Sequence, residues 1–562
     1  MRLHSRRKCV RIDNGRQRKI KEEKIMLELK TYSSLEKFVP GVTPSLEEKS
    51  GSMLKGERYH FQVALSPSTD YTPAIAQIEV GGSLASYVTV RRELYVPALF
   101  NAYPDHDDLI ISETAKVFAD PLEPIDGGVQ ICRDVITALW VTINGTSDMP
   151  AGLGDVTITV KRGDEIGEIR YEIEVIDAVL PKSDLICTNW FHYDGLKEYY
   201  GLKPWSDEFF EVVGRFVRSA TSHGINMLYT PLFTPPLDTH IGGERPDVQL
   251  IKVARSGDKY SFDFSVLDRF MNMAIGCGVE YFEFSHLTTQ WGAKACPKIM
   301  ATTENGYEKI FGWETSSTGE EYKAFLSAFL PALDKFLKNK GVAEKCMFHI
   351  SDEPAPAHYE QFREAFDFIR PLIKDYKVMD ATSEAGRDIL DIPVMDLAHV
   401  PEKLNGNEWV YYCCSAYKDR VPNRFINMPS YRNRVLGAML YLGKVNGFLQ
   451  WGFNFYNSCL SYFPINPFVT TDANGFFPSG DAFVVYPGRN GEPWDSLRLE
   501  VFLDAIQDRS ALGLLEKLTS RENAEKIVRG AGVNVWNEYP ADGAKIKELR
   551  EKINAAIKVA AK

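Results

Sequence analysis

What this chain lacks narrows it first. No apolar run approaches the length needed to cross a bilayer, so no membrane partner is expected. Its nine cysteines are scattered, and neither a pair of Cys-x-x-Cys elements nor a His-Glu-x-x-His motif occurs. Reduced, mostly buried thiols and a cytoplasmic location are therefore expected, with no metal and no cofactor. Basic charge is not in surplus: the formal net charge is -11, which argues against a nucleic-acid partner, because phosphate binding needs a basic face. The first 25 residues, "MRLHSRRKCVRIDNGRQRKIKEEKI", are basic but have no apolar core segment, so they do not form a secretory signal. They are expected to be a disordered tail, or an upstream start read ahead of Met26.

A chain of 562 residues is too long for one ordinary core. Its rhythm changes part-way. Over residues 26–179, short alternating runs such as "RYHFQVALS", "YVTVRRELYV", "ALWVTING", "DVTITVKRG" and "IRYEIEVID" are separated by Gly, Pro, Asp and Ser. Such runs with no helical period between them predict a β-sandwich. Over residues 180–520, strand-like runs alternate with amphipathic helical stretches, and eight of them can be counted, from "LICTNW" to "NGFLQWGFN". That pattern predicts a (β/α)8 TIM-like barrel with a reduced fifth helix and a long aromatic loop after strand eight. Residues 521–562 are expected to form a small helical extension. The predicted fold is thus multidomain, an all-β module followed by an α/β barrel.

The count places "MFHISDEPAP" at the C-terminal end of strand four, the face on which such barrels do chemistry. There Asp352 and Glu353 stand side by side. Asp followed by Pro also suits a helix N-terminus, and both readings can hold. Close like charges resist joint ionisation and burial raises a carboxyl pKa, so one member can stay protonated as a general acid. An ordinary retaining glycosidase also needs a carboxylate nucleophile across the sugar, about 5 Å from the acid. Adjacent residues approach from one side and do not supply it. Substrate-assisted hydrolysis removes that need: the carbonyl of a 2-acetamido group attacks the anomeric carbon, with Glu353 as acid/base and Asp352 orienting the acetamide.

Three stretches carry a family resemblance: "FHISDEP", "FLQWGFNFYN" and "VVYPGRNGEPWDSLRLEVFLDAIQDRSAL". Together they resemble glycoside hydrolase family 123 and the wider group called domain of unknown function 4091, over most of the chain beyond the basic tail. Characterised members are β-N-acetylgalactosaminidases that act on glycolipid glycans by substrate-assisted catalysis, with a β-sandwich ahead of a (β/α)8 barrel. The resemblance maps their Asp-Glu pair onto Asp352 and Glu353, and implies retention at the anomeric centre and no metal. Family activity is often associated with extracellular glycans, whereas no export signal is read here, which favours small imported or internally released saccharides.

Other residues are candidates for the sugar pocket. Trp451 and Asn454, ending strand eight, would stack on the sugar and bind a hydroxyl. Tyr417, ending strand seven, would donate to the acetamido oxygen. Asn189, Trp190 and His192 after strand one, and His286 and Trp291 after strand three, would line the pocket. Each also suits a core position. Arg498 and Glu500 are expected to pair on a helix surface. The expected partner is a glycan or glycoside with a terminal N-acetylhexosamine, and a homo-oligomer is left open. Two alternatives stay open: a glycosidase for another sugar on the same barrel, and a non-catalytic carbohydrate-binding protein.

Overall fold

The computed structural model describes residues 27–65, 75–131, 135–354, 356–382, 386–401 and 404–561. The basic tail and the alternative start at Met26 lie outside them. The N-terminal region is rich in strands. One five-stranded sheet runs in the order Leu29–Ser33, Arg58–Leu65, Thr137–Asn144, Val88–Ala98, Lys116–Pro124. A second runs Ser50–Lys55, Glu165–Val179, Gly152–Arg162, Ile75–Gly81, Val129–Gln130.

Period-2 alternation explains how these strands serve two partners at once. On Arg58–Leu65, Tyr59, Phe61, Val63 and Leu65 join Met53, Val156, Ile158 and Ile173 of the other sheet in one apolar cluster. His60, on the opposite face of that strand, instead reaches Asp504 at 2.8 Å.

Beyond residue 185 eight parallel strands close into a barrel: Ile186–Asn189, Met227–Thr230, Tyr281–Phe284, Cys346–Phe348, Lys377–Ala381, Ile392–Asp396, Trp409–Tyr411 and Gly447–Gln450. Helices follow strands one to four: Tyr193–Tyr200 with Asp207–Ser222, then Ser265–Gly276, Glu320–Lys340 and Tyr359–Ile369. Ser206 caps the second of these by accepting the Phe209 N–H. The (β/α)8 repeat is incomplete. Among the described residues, the connections after strands five and six carry no α-helix. The first is shorter than the dozen or so residues a crossover helix takes, and the second is interrupted by Pro401 and Gly406. A hairpin, Lys252–Ser256 with Lys259–Asp263, joins strands from the loop after barrel strand three in a four-stranded sheet.

The helix Leu497–Leu518 is buried along most of its length between the barrel and the strand-rich region. This overturns the surface reading of Arg498 and Glu500. Arg498 is buried and donates to both oxygens of Asp120, at 2.9 Å each from Nε and Nη2. Glu500 is buried and paired with Arg91. A charged side chain is tolerated there because its partner comes from the opposite region, which the local sequence does not reveal. Two further helices follow: Arg521–Gly530 packs against Leu497–Leu518, and Gly543–Ala560 fastens back onto the strand-rich region, with Arg550 bound to Glu57 at 2.6 Å.

Candidate active site

Strand four ends at Phe348, and the chain bends at Asp352. Glu353 has φ +43°, a left-handed conformation unusual for a residue with a β-carbon. That turn answers how neighbours, which would face opposite sides of a regular strand, come to line the same cavity. The segment is tied on both sides: Trp291 N–H donates to the Asp352 carbonyl at 2.8 Å, and Glu353 N–H donates to the Ala381 carbonyl at 3.1 Å. Neither carboxylate caps the following helix, whose N-cap is His358.

The cavity at this barrel mouth has a volume of about 400 Å³. Its walls are the aromatic rings of Trp190, Trp291, Tyr411, Trp451, Phe476 and Phe477, with Asp238, Gln290, Cys413 and Cys414 among the remaining lining groups. Such a volume accommodates a single sugar ring and part of its substituents. Tyr411 O–H donates to Glu353 Oε1 at 2.5 Å. Trp451 is oriented by its indole N–H, which donates to Asp481 at 3.0 Å.

Burial raises the Asp352 carboxyl well above the usual range, and the neighbouring Glu353 charge adds to it while His349 opposes. Burial also raises Glu353, against the Tyr411 hydrogen bond. The two titrate as a pair that retains one proton in a range where isolated carboxyls have lost theirs. Asp238 is likewise raised by burial, to about 6.

Beneath the pair lies a chain of buried polar groups. His349 Nε2 is 3.1 Å from Glu283 Oε2, and its Nδ1 is 3.1 Å from Asp380 Oδ1. Asp380 also accepts the backbone N–H groups of Ile350 and Ser351, at 3.1 and 3.4 Å. Glu283 accepts the Thr188 hydroxyl. His286 stacks on His349 with ring centroids 4.3 Å apart, and its Nδ1 meets the Tyr229 hydroxyl at 2.9 Å.

The predicted pocket residues divide. Trp190, Trp291 and Trp451 line the cavity with Asp352 and Glu353. His286 does not: it is buried in the barrel interior against His349. The Asn454 side chain brackets the His192 backbone, its Oδ1 accepting the His192 N–H at 2.9 Å and its Nδ2 donating to the His192 carbonyl at 3.2 Å, which joins the ends of strands one and eight. Burial, then the Arg245 charge, lower His192 to about 3 and keep it neutral. Asn189 accepts from the buried Arg424 at 2.9 Å. Tyr417 lies away from the cavity, donating to Asp105 at 2.8 Å.

The tyrosine at the cavity is Tyr411 instead. Strand alternation contained the signal: Tyr411 and Tyr412 must face opposite sides, and Tyr411 shares its apolar cluster with barrel-interior residues. Asp238 and Gln290 carried no comparable signal, since both sit on irregular loops.

Among the described residues, two groups have ligand atoms close enough to share an ion: His286, His349 and Asp380, and His223, Asp495 and Glu500. In the first, both His349 nitrogens are already committed to carboxylates, so it is a hydrogen-bonded chain. Among the described residues the cysteines are free, and Cys187, Cys296, Cys346 and Cys459 are buried. No helix of the described residues is long and apolar enough to cross a membrane.

A coupled carboxyl pair at the mouth of a parallel barrel, walled by aromatic rings, is the apparatus of a glycoside hydrolase. Sequence comparison agrees. Residues 190–515 match the family model "Glycoside hydrolase 123, catalytic domain". The chain belongs to glycoside hydrolase family 123. Among solved structures it is similar to a family 123 glycoside hydrolase from Clostridium perfringens, whose study concerns glycolipid glycan hydrolysis. The TM-score is 0.72 at 15% identity, covering 95% of this chain and 97% of that one, so the likeness spans the strand-rich region as well as the barrel. A β-glucuronidase from Parabacteroides merdae aligns with a TM-score of only 0.31 at 11% identity, over 85% of this chain and 51% of the other. No curated protein sequence matches.

Proposed function

We propose that the chain is an exo-acting, retaining β-N-acetylgalactosaminidase that uses the substrate's own 2-acetamido group as nucleophile. The observation that carries this is the placement of both adjacent carboxyls in the wall of one sugar-sized aromatic cavity, with Tyr411 bonded to Glu353. In the first step the acetamido carbonyl oxygen bonds to C1 while the C1–O bond to the leaving group breaks. Glu353 gives its proton to the departing oxygen. Asp352, ionised, accepts the acetamido N–H and offsets the positive charge of the oxazolinium ion. In the second step Glu353 takes a proton from water, whose oxygen attacks C1 and reopens the ring. Two displacements on opposite faces leave the configuration retained.

Trp451 and Trp190 supply apolar faces for the sugar, and Tyr411 takes the donor role toward the acetamido group that Tyr417 is too remote to fill. On this reading residues 180–520 form the catalytic unit, and residues 26–179 and 521–562 support it.

Asp238 favours one second reading, because it is a third carboxyl in the same cavity. With Asp238 as nucleophile, the barrel would hydrolyse sugars without an acetamide by ordinary double displacement. Paired aryl β-glycosides separate the two: GalNAc against galactose, and GlcNAc against glucose, on wild type, Asp352→Asn, Glu353→Gln and Asp238→Asn. Activity confined to acetamido sugars, collapsing in the first two variants and largely surviving the third, supports substrate assistance. Comparable cleavage of galactosides, lost in Asp238→Asn, overturns it.

A further inference from the structure

The polar chain below the cavity is fully buried, yet it holds three titratable side chains that the proposed chemistry does not itself consume. His349, Glu283 and Asp380 are each 0% exposed. They come from or adjoin barrel strands four, three and five, so the histidine is held from both flanks by the neighbouring strands. Buried ionisable groups on this scale cost stability unless paired, and retention of such a chain directly under a reactive segment calls for a task.

Two observations indicate what the task is. The first is mechanical. Asp380 engages His349 on one side and the N–H groups of Ile350 and Ser351 on the other, and Ser351 Oγ donates to the Thr289 carbonyl at 2.9 Å. The last backbone units before Asp352 are therefore fixed by the same carboxylate that clasps the histidine. The second is electrostatic. A ring with a carboxylate against each nitrogen donates through both, so it is the imidazolium form that fits the site. We infer that His349, held between Glu283 and Asp380, is a positioning residue for the reaction: it fixes the segment ending in Asp352 and Glu353 and sets which of the two carboxyls keeps their shared proton.

The inference rests on the proposed mechanism, which needs Asp352 ionised and Glu353 protonated. Burial alone works against that order, raising Asp352 strongly, and Tyr411 also pulls toward a charged Glu353. A positive ring beneath Asp352 acts in the required direction. The groups facing His349 are Glu283, Asp380, His286, Tyr229 and Asp352. Burial opposes its charge, but the hydrogen bonds to Asp380 and Glu283 outweigh this and raise it to about 9. His286 is driven the other way, well below its ordinary value, by burial and then by the His349 charge. The stacked rings are thus driven in opposite directions, His349 toward the charged form and His286 toward the neutral one.

The test uses pH–rate profiles of full-length wild type and His349→Gln on an aryl β-N-acetylgalactosaminide. Thermal melts of both proteins run alongside. With the ring charge gone, Asp352 ionises less readily, so the acidic limb of kcat/KM moves up by about one pH unit. The maximum kcat falls about 10- to 100-fold while KM changes less than about threefold. An unmoved limb with a loss confined to KM or melting temperature overturns the inference and leaves His349 as packing.

Should His349→Gln not fold, nitrogen NMR of the histidine-labelled protein decides instead. One ring is expected to stay doubly protonated to about pH 8 in wild type and to lose that proton in Glu283→Gln. The lack of any imidazolium that depends on Glu283 overturns it. A wild type inactive on every acetamido glycoside removes the proposed function instead, a result distinct from either outcome here.

Discussion

The hydroxyl of Tyr411 is 2.5 Å from Glu353 Oε1, and it is the one hydrogen bond the described side chains make to that carboxylate. The bond favours the charged carboxylate, whereas the proposed acid step requires the neutral one. On that mechanism the hydroxyl is expected to shift toward the acetamido oxygen as substrate enters.

Tyr411→Phe removes the donor and leaves burial and the Asp396 charge, which both raise Glu353, unopposed by it. The carboxyl then titrates at higher pH, and the alkaline limb of kcat/KM moves upward. Its maximum falls about tenfold or more, the effect of losing a hydrogen bond to a charged or developing charge. Both are read from a single pH–rate series, and a limb that moves down would mean that Tyr411 does not act on Glu353.

Trp451 and Tyr417 should behave oppositely. Trp451 lines the cavity and is locked by Asp481, so Trp451→Ala is expected to raise KM at least about tenfold through lost stacking. Tyr417 is bonded to Asp105 outside the cavity, and Tyr417→Phe should leave kcat and KM within about twofold. Steady-state kinetics on one substrate checks both.

Glu93 makes a stability prediction far from the cavity. It is 3% exposed and neither carboxylate oxygen has a hydrogen-bond partner among the described residues. Burial, then the charges of Asp120 and Glu36, raise its pKa well above the ordinary carboxylate value. The folded state then holds a proton that the unfolded chain releases above about pH 4.3, so this group's contribution to stability falls as pH rises from there. Glu93→Gln should gain about 1–3 kcal/mol at neutral pH and little near pH 4. Urea melts across that interval test it; an equal gain at both ends would show that shape, not charge, is responsible.

The barrel was legible because its strands are short apolar runs of even rhythm, and a count of eight located Asp352 and Glu353 without any knowledge of their surroundings. The tryptophans at strand ends were legible for the same reason. What could not be read was direction. His192, His286 and Asn454 stand at strand ends too, but their side chains turn to the neighbouring strand or into the barrel interior, and one sequence does not distinguish that from facing the cavity. Tyr417 misses the cavity because the sequence reading carries strand seven through to it, whereas the strand ends at Tyr411. Arg498 and Glu500 were read as exposed because their partners, Asp120 and Arg91, are hundreds of residues away in the chain.

Those distant partners carry a consequence for descent and for engineering. Arg498 satisfies Asp120, Glu500 meets Arg91, and Arg550 closes on Glu57, so each region completes charges that the other has buried. A barrel cut free of the first 180 residues would carry stranded charges on the newly exposed face of the Leu497–Leu518 helix. It would aggregate rather than turn over substrate. Shuffling this barrel onto another module therefore requires changing both faces of the seam together, and drift on one side is tolerated only where the other side follows.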